Sequence, residues 1–104
     1  MARRSHRHEE TSIPQVSVAG RARRHMRRGE PRKALVTLRE ACLMDERDAS
    51  LWTQYGTLLA QVGRVDDAAQ ALRHALWLRR SAGDAPRARV TERLIDRLSC
   101  VRAA

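Results

Sequence analysis

Of the 21 cationic side chains in this sequence, all but Lys33 are arginine. Arginine presents a planar fork of N–H donors that meets a carboxylate or a phosphate through two parallel bonds, a geometry lysine does not offer. Five of these side chains, Arg21, Arg23, Arg24, Arg27 and Arg28, crowd one short stretch. The chemistry this chain is richest in is therefore recognition of anions. Its other reactive groups are scattered. His6 and His8 stand at i, i+2 with no further ligand beside them, a weak and unspecific arrangement for a metal. Cys42 and Cys100 lie far apart without Cys-x-x-Cys or Cys/His spacing. Both fall among apolar helical positions, where a thiol acts as a small buried hydrophobe. With no secretion signal read in the sequence, they are expected as reduced thiols of a cytoplasmic protein, with a disulfide as the lesser alternative. His74, beside Arg73, reads as a surface side chain, and His25, on an apolar arc, as a partly buried packing residue. There is no glycine-rich phosphate loop and no Ser or Cys nucleophile with a spaced His and acid. The sequence predicts no catalysis, no cofactor and no metal.

Length and charge narrow the reading further. The chain has 104 residues and a formal net charge of +9, a size that suits one small domain. Residues 1–40 carry 11 cations and 4 anions (+7), whereas residues 41–104 carry 10 and 8 (+2). The excess positive charge sits at one end, which suits an acidic protein partner or a nucleic acid. No apolar run approaches the roughly 18 residues of a membrane span. A multidomain enzyme, a membrane protein and a disulfide framework are all excluded.

The elements that position these side chains are helices. Beyond a basic, disordered tail over 1–12, no stretch alternates as a strand would, and Ala, Leu and Arg dominate. Punctuation predicts about five antiparallel helices with short connections. The first runs Pro14–Arg28 and stops at Gly29. The second begins at Pro31, tolerated in a first turn because its missing N–H has no helical partner there, and ends near Met44. Asp48 caps the third, which runs to about Val62 before Gly63. The fourth spans about Val65–Arg80, with Asp66 and Asp67 in its first turn and Arg79 and Arg80 in its last, all suited to the helix dipole. Ser81-Ala82-Gly83 breaks it, Asp84 caps the fifth, and Pro86 sits in the opening turn.

Sliding the chain on itself by 34 residues pairs Gly29 with Gly63, Ala34 with Ala68, Leu38 with Leu72, Ala41 with Ala75, Ala22 with Gly56 and Leu43 with Trp77. A helix–turn–helix of that period resembles the tetratricopeptide repeat family, over about 85 of the 104 residues. Repeat two (49–82) carries the pattern best. Trp52 stands at the aromatic anchor, Tyr55 and Gly56 at the bulky-then-small pair, and Leu59 at the next large site. Ala68, Leu72 and Ala75 then take the small–large–small sites of the second helix. Repeat one (15–48) matches at Ala34, Leu38 and Ala41 but is degenerate in its first helix, with Val18, Arg21 and His25 at the anchor positions. The usual proline near a repeat's end is replaced by Glu46 and Arg80. Aligned as a third first-helix with one insertion, residues 84–101 place Val90, Leu94, Leu98 and Val101 inward and Arg89, Arg93, Arg97 and Arg102 largely outward, as a capping helix requires. The expected fold is an all-α, short tetratricopeptide-like solenoid over residues 13–104.

At about 100° per residue, Val18, Ala19, Ala22, His25 and Met26 share one arc of the first helix, with the five arginines filling much of the other side. The resemblance implies that first helices line a concave groove that receives an extended peptide. Carried over by position, the groove sites are Val16, Ala19, Arg23, Met26 and Arg27 in repeat one, and Ser50, Thr53, Thr57, Ala60 and Gln61 in repeat two. Arg21, Arg24 and Arg28 form an adjoining basic patch. The Lys/Asn clamp that some members close on a terminal carboxylate is not reproduced. The expectation is an adaptor or chaperone-like module for an acidic peptide segment. A second reading has the tail and first helix contact nucleic-acid phosphates, with Trp77 as the one aromatic ring left free for stacking. Leu43 and Trp77 also suit self-association.

Overall fold

The computed structural model describes residues 18–103, and they are helical with no strand among them. The helices are α1 (18–27), α2 (Pro31–Met44), α3 (Ala49–Gln61), α4 (Val65–Ser81) and α5 (Ala85–Ala103). The expected tail over 1–12, with His6 and His8, and the expected start of α1 at Pro14 lie outside the described residues.

Three of the four connections are one and the same turn. Gly29, Gly63 and Gly83 hold φ values of +72°, +88° and +74°, the left-handed region that a Cβ disfavours. Each glycine N–H donates to the carbonyl three residues back (Met26, Ala60, Arg80; 3.0–3.1 Å). The N–H that follows, on Glu30, Arg64 or Asp84, donates to the carbonyl five back (His25, Leu59, Arg79; 2.8–2.9 Å). This double bond pattern ends a helix while satisfying carbonyls that would otherwise have no partner. The α2–α3 connection differs, because there the next helix is started by its cap. Asp48 Oδ1 accepts the Leu51 N–H at 3.2 Å.

The chain divides into two compact units at Leu38/Arg39. In the first, α1 and the N-terminal part of α2 bury Ala22, Ala34 and Leu38. In the second, α3 packs on α4 and α4 on α5. Its buried set runs through Leu51, Leu58, Leu59, Ala68, Leu72, Ala75, Ala88 and Leu98. Gly56 belongs to this core by what it lacks. A Cβ there would lie 2.8 Å from Leu72 Cγ and 3.3 Å from the Ala68 carbonyl oxygen, so α3 and α4 approach as closely as they do because position 56 has no side chain. The small–large–small reading of Ala68, Leu72 and Ala75 thus has a direct steric basis. Trp52, Tyr55 and Ala41 are half-buried.

The inward face of α5 is only partly the expected one: Leu98 is buried and Leu94 half-buried, as expected, but Val90 and Val101 are not. Val90 is 50% exposed and Val101 62% exposed, while Ala88 and Thr91, outside the expected stripe, are buried. The entry turn explains the difference. Because Gly83 repeats the geometry of Gly29 and Gly63, α5 is entered as α2 and α4 are, and Ala88 stands five residues beyond its glycine as Ala34 and Ala68 do. Position 90 then lies about 200° around the helix from position 88 and faces away. Arg89, Arg93 and Arg97 are exposed, as expected of a terminal helix. Cys42 is fully buried, whereas Cys100, expected among apolar neighbours, is exposed; both are free thiols. Burial, reinforced by the charge of Asp48, pushes the Cys42 thiol up to about 12.

Candidate partner-binding surfaces

On α1, the turn at Gly29 stops the helix just after its arginine cluster. Burial of Ala22 turns Arg21, Arg23, Arg24, Arg27 and Arg28 to solvent. Ala19, His25 and Met26 are half-buried, and Val16 lies outside the described residues. Arg23 and Arg27 form no ion pair among the described residues and lie one turn apart, so their guanidinium forks are available to carboxylates or phosphates.

The end of α1 carries its own small network. His25 Nδ1 donates to Glu30 Oε1 at 3.2 Å, and Lys33 Nζ donates to Glu30 Oε2 at 3.1 Å. The His25 and Lys33 bonds hold the Glu30 carboxyl below the usual carboxylate range. Next to it, His25, Arg32, Lys33, Val36 and Thr37 surround a shallow hollow of about 300 Å³.

On α3, Ser50, Thr57 and Gln61 are exposed and Thr53 and Ala60 half-buried. The Thr53 hydroxyl donates to the Ala49 carbonyl at 2.8 Å, which leaves its lone pairs free to accept. This face is polar and uncharged, unlike that of α1. Of the residues expected to line a groove, Arg23, Arg27, Ser50, Thr57 and Gln61 are exposed and Ala19, Met26, Thr53 and Ala60 half-buried.

Two features escaped the sequence reading. His74 is not a plain surface side chain but half-buried between two indoles. Its ring lies 4.5 Å from Trp52, edge-on at 70°, and 6.1 Å from Trp77, near-parallel at 22°. Its Nε2 and the Trp52 indole N–H both donate to the Glu46 carbonyl, at 3.3 and 2.9 Å. The i, i+3 spacing of His74 and Trp77 was visible beforehand, but their link to Trp52 needs the α3–α4 packing. Trp77 is 63% exposed and Leu43, its equivalent in repeat one, 58%.

The second is Arg79, which the sequence presents only as a last-turn cation. Its Nη1 donates at 2.8 Å to Oγ1 of Thr91, a fully buried residue whose hydroxyl in turn donates to the Arg87 carbonyl at 2.8 Å. Asp84 caps α5, accepting the Arg87 N–H at 3.3 Å and the Arg87 guanidinium at 3.0 Å. The Arg87 bonds, with the charges of Arg87 and Arg79, hold its carboxyl below the usual range.

The glycine turns, the α3–α4 approach over Gly56 and the helix pairing together specify a repeat architecture. A solution NMR structure of a tetratricopeptide repeat domain protein from Salinibacter ruber superposes with a TM-score of 0.73 at 19% identity, covering 82% of this chain and 85% of that one. The fold is that of tetratricopeptide repeats. A crystal structure of a tetratricopeptide repeat domain protein from the same organism gives a TM-score of 0.69 at 19% identity, covering 83% and 94%. No protein-family model and no curated protein matches the sequence. Among the described residues, no helix is long and apolar enough to cross a membrane, and no three His, Cys, Asp or Glu side chains gather as a metal site would require.

Proposed function

We propose that this chain is a non-enzymatic, cytoplasmic protein–protein interaction module, an adaptor or chaperone-like scaffold that binds an acidic segment of another protein. Arg23 and Arg27 of α1, beside Met26, bind its carboxylates, and Thr53, Thr57 and Gln61 of α3 supply polar contacts. The observation that supports this reading is the exposed pair of guanidinium forks one turn apart, with no carboxylate of the described residues engaging them. The aromatic rings argue against sequence-reading RNA recognition, since Trp52 and Tyr55 are half-buried and Trp77 alone is largely free.

The double variant Arg23→Glu, Arg27→Glu tests it. Proteins captured by the purified wild-type chain should be lost by the variant while its far-UV circular dichroism stays unchanged. Retention of the same partners would overturn the assignment. Filter binding of RNA at two salt concentrations separates the alternative, because phosphate attraction through Arg21, Arg24 and Arg28 must weaken steeply with salt.

A further inference from the structure

A hollow of about 300 Å³ opens where the start of α3 meets the end of α4 and the start of α5, lined by Arg47, Ser50, Arg79 and Arg87 together with Asp48 and Asp84. The charges in it are not equivalent. Asp48 is occupied with capping α3, and Asp84 with capping α5 and pairing Arg87. Arg79 stands apart from its neighbours. It is half-buried, whereas Arg73, Arg80, Arg87 and Arg89 are exposed. The one hydrogen bond of its guanidinium goes to the neutral Thr91 hydroxyl; its charge also acts on the Asp84 carboxyl, but it forms no ion-pair contact among the described residues. That hydroxyl has its own proton directed at the Arg87 carbonyl, so it can only accept, and the guanidinium is held from one side with its remaining donors free. A cation drawn part-way out of water gains from an anion in contact, and a pre-oriented fork loses little entropy on meeting one.

We infer that this hollow is a carboxylate subsite, in which the Arg79 fork, with Arg47 and the Ser50 hydroxyl, receives an aspartate or glutamate side chain of the bound partner. Three arginines against two aspartates leave the lining at +1, which balances one carboxylate; a phosphoryl dianion would face Asp48 and Asp84 with charge left over. The positive end of the α3 dipole adds to the same preference. The volume suits a side chain with its stem. This inference deepens the proposed reading and rests on it for the source of the carboxylate.

The test is a titration of the full-length, 15N-labelled chain with an acetylated, amidated hexaglutamate, read at the Arg79 Nε–H and Ser50 amide signals. Both should move and saturate. Arg79→Gln should weaken that binding on the order of 10- to 100-fold, the range for a hydrogen bond to a charged group, with helical content retained. Arg47→Gln and Ser50→Ala, which leave the Arg79–Thr91 bond intact, should each weaken it less. Unchanged affinity in Arg79→Gln, or in both other variants if Arg79→Gln fails to fold, would overturn the subsite. So would larger shifts with inorganic phosphate, or shifts only with an acetylated hexaalanine whose C-terminus is free. Movement confined to α1 overturns the subsite and leaves the proposed α1 contact standing. Movement at Arg79 and Ser50 without Arg23, Arg27, Thr53, Thr57 or Gln61 supports the subsite and overturns the proposed faces. No movement at millimolar peptide overturns both.

Discussion

Replacing glycine by alanine should have opposite signs at different positions of this chain, and Gly56 is the decisive one. A helix interior normally gains about 1 kcal/mol from that exchange. At position 56 the new methyl would sit 2.8 Å from Leu72 Cγ, 3.0 Å from its Cδ2 and 3.3 Å from the Ala68 carbonyl oxygen. Neither neighbour yields easily: Leu72 is 2% exposed, its contact atom is the branch point rather than a free end, and the other is backbone. Overpacking of this kind costs about 1–3 kcal/mol, so the net is a loss of about 1 kcal/mol, or several degrees in Tm for a domain of this size. Gly20 is the control, since a Cβ there meets nothing within 4 Å. Gly20→Ala should stabilise by about 0.5–1 kcal/mol. Urea denaturation followed by circular dichroism, and by the fluorescence of Trp52 and Trp77, reads both. In a Leu72→Ala background the clash is largely gone, so Gly56→Ala should there become neutral or favourable. A wild-type-like or raised midpoint for Gly56→Ala alone, or strict additivity with Leu72→Ala, would refute the argument from close approach.

The remaining expectations concern titration and reactivity. In native protein at pH 8, iodoacetamide should alkylate Cys100 readily and leave Cys42 untouched, because a thiol pushed up to about 12 and fully buried offers almost no thiolate; intact mass spectrometry before and after unfolding checks this, with two equally fast additions as the contrary result. For Glu30 and Asp84 the folded carboxyl titrates below its ordinary value. Their stabilising effect is therefore complete above the ordinary carboxylate range and is lost as pH falls through the depressed folded values. The urea midpoint should drop between about pH 5 and pH 3, and Glu30→Gln should flatten that drop; an equally steep fall in the variant would remove the His25–Glu30–Lys33 network as its cause.

Much of the architecture was legible because its causes are local. Gly29 and Gly63 mark left-handed helix ends, Asp48 and Asp84 cap, Pro31 opens a helix, and a repeat of 34 residues needs only one chain to be seen. The arginine face of α1 was legible for the same reason, since an amphipathic arc is a property of one helix. The buried face of α5 was misread at Val90 and Val101, though not at Leu94 and Leu98, because composition favoured that apolar stripe, whereas the entry through the left-handed turn at Gly83 brings Ala88 and Thr91 inward. Thr91, polar and fully buried, is the position that apolar patterning could not find.

The two unforeseen features both depend on contacts between residues distant in sequence. Arg79 reads as a dipole-complementing cation until Thr91, twelve residues on, takes one of its donors and leaves it half-buried over a hollow. His74 reads as a surface side chain until the loop carbonyl of Glu46 and the ring of Trp52 come up against it. Helix content, caps, turns and the repeat follow from interactions within a few residues, and the sequence alone was sufficient for them. Which face of α5 is buried, which thiol is shielded and which arginine is held by a neutral hydroxyl depend on how α3, α4 and α5 pack. Only the tertiary structure decided those, because burial and hydrogen-bond partners are properties of the packed helices and of no single one.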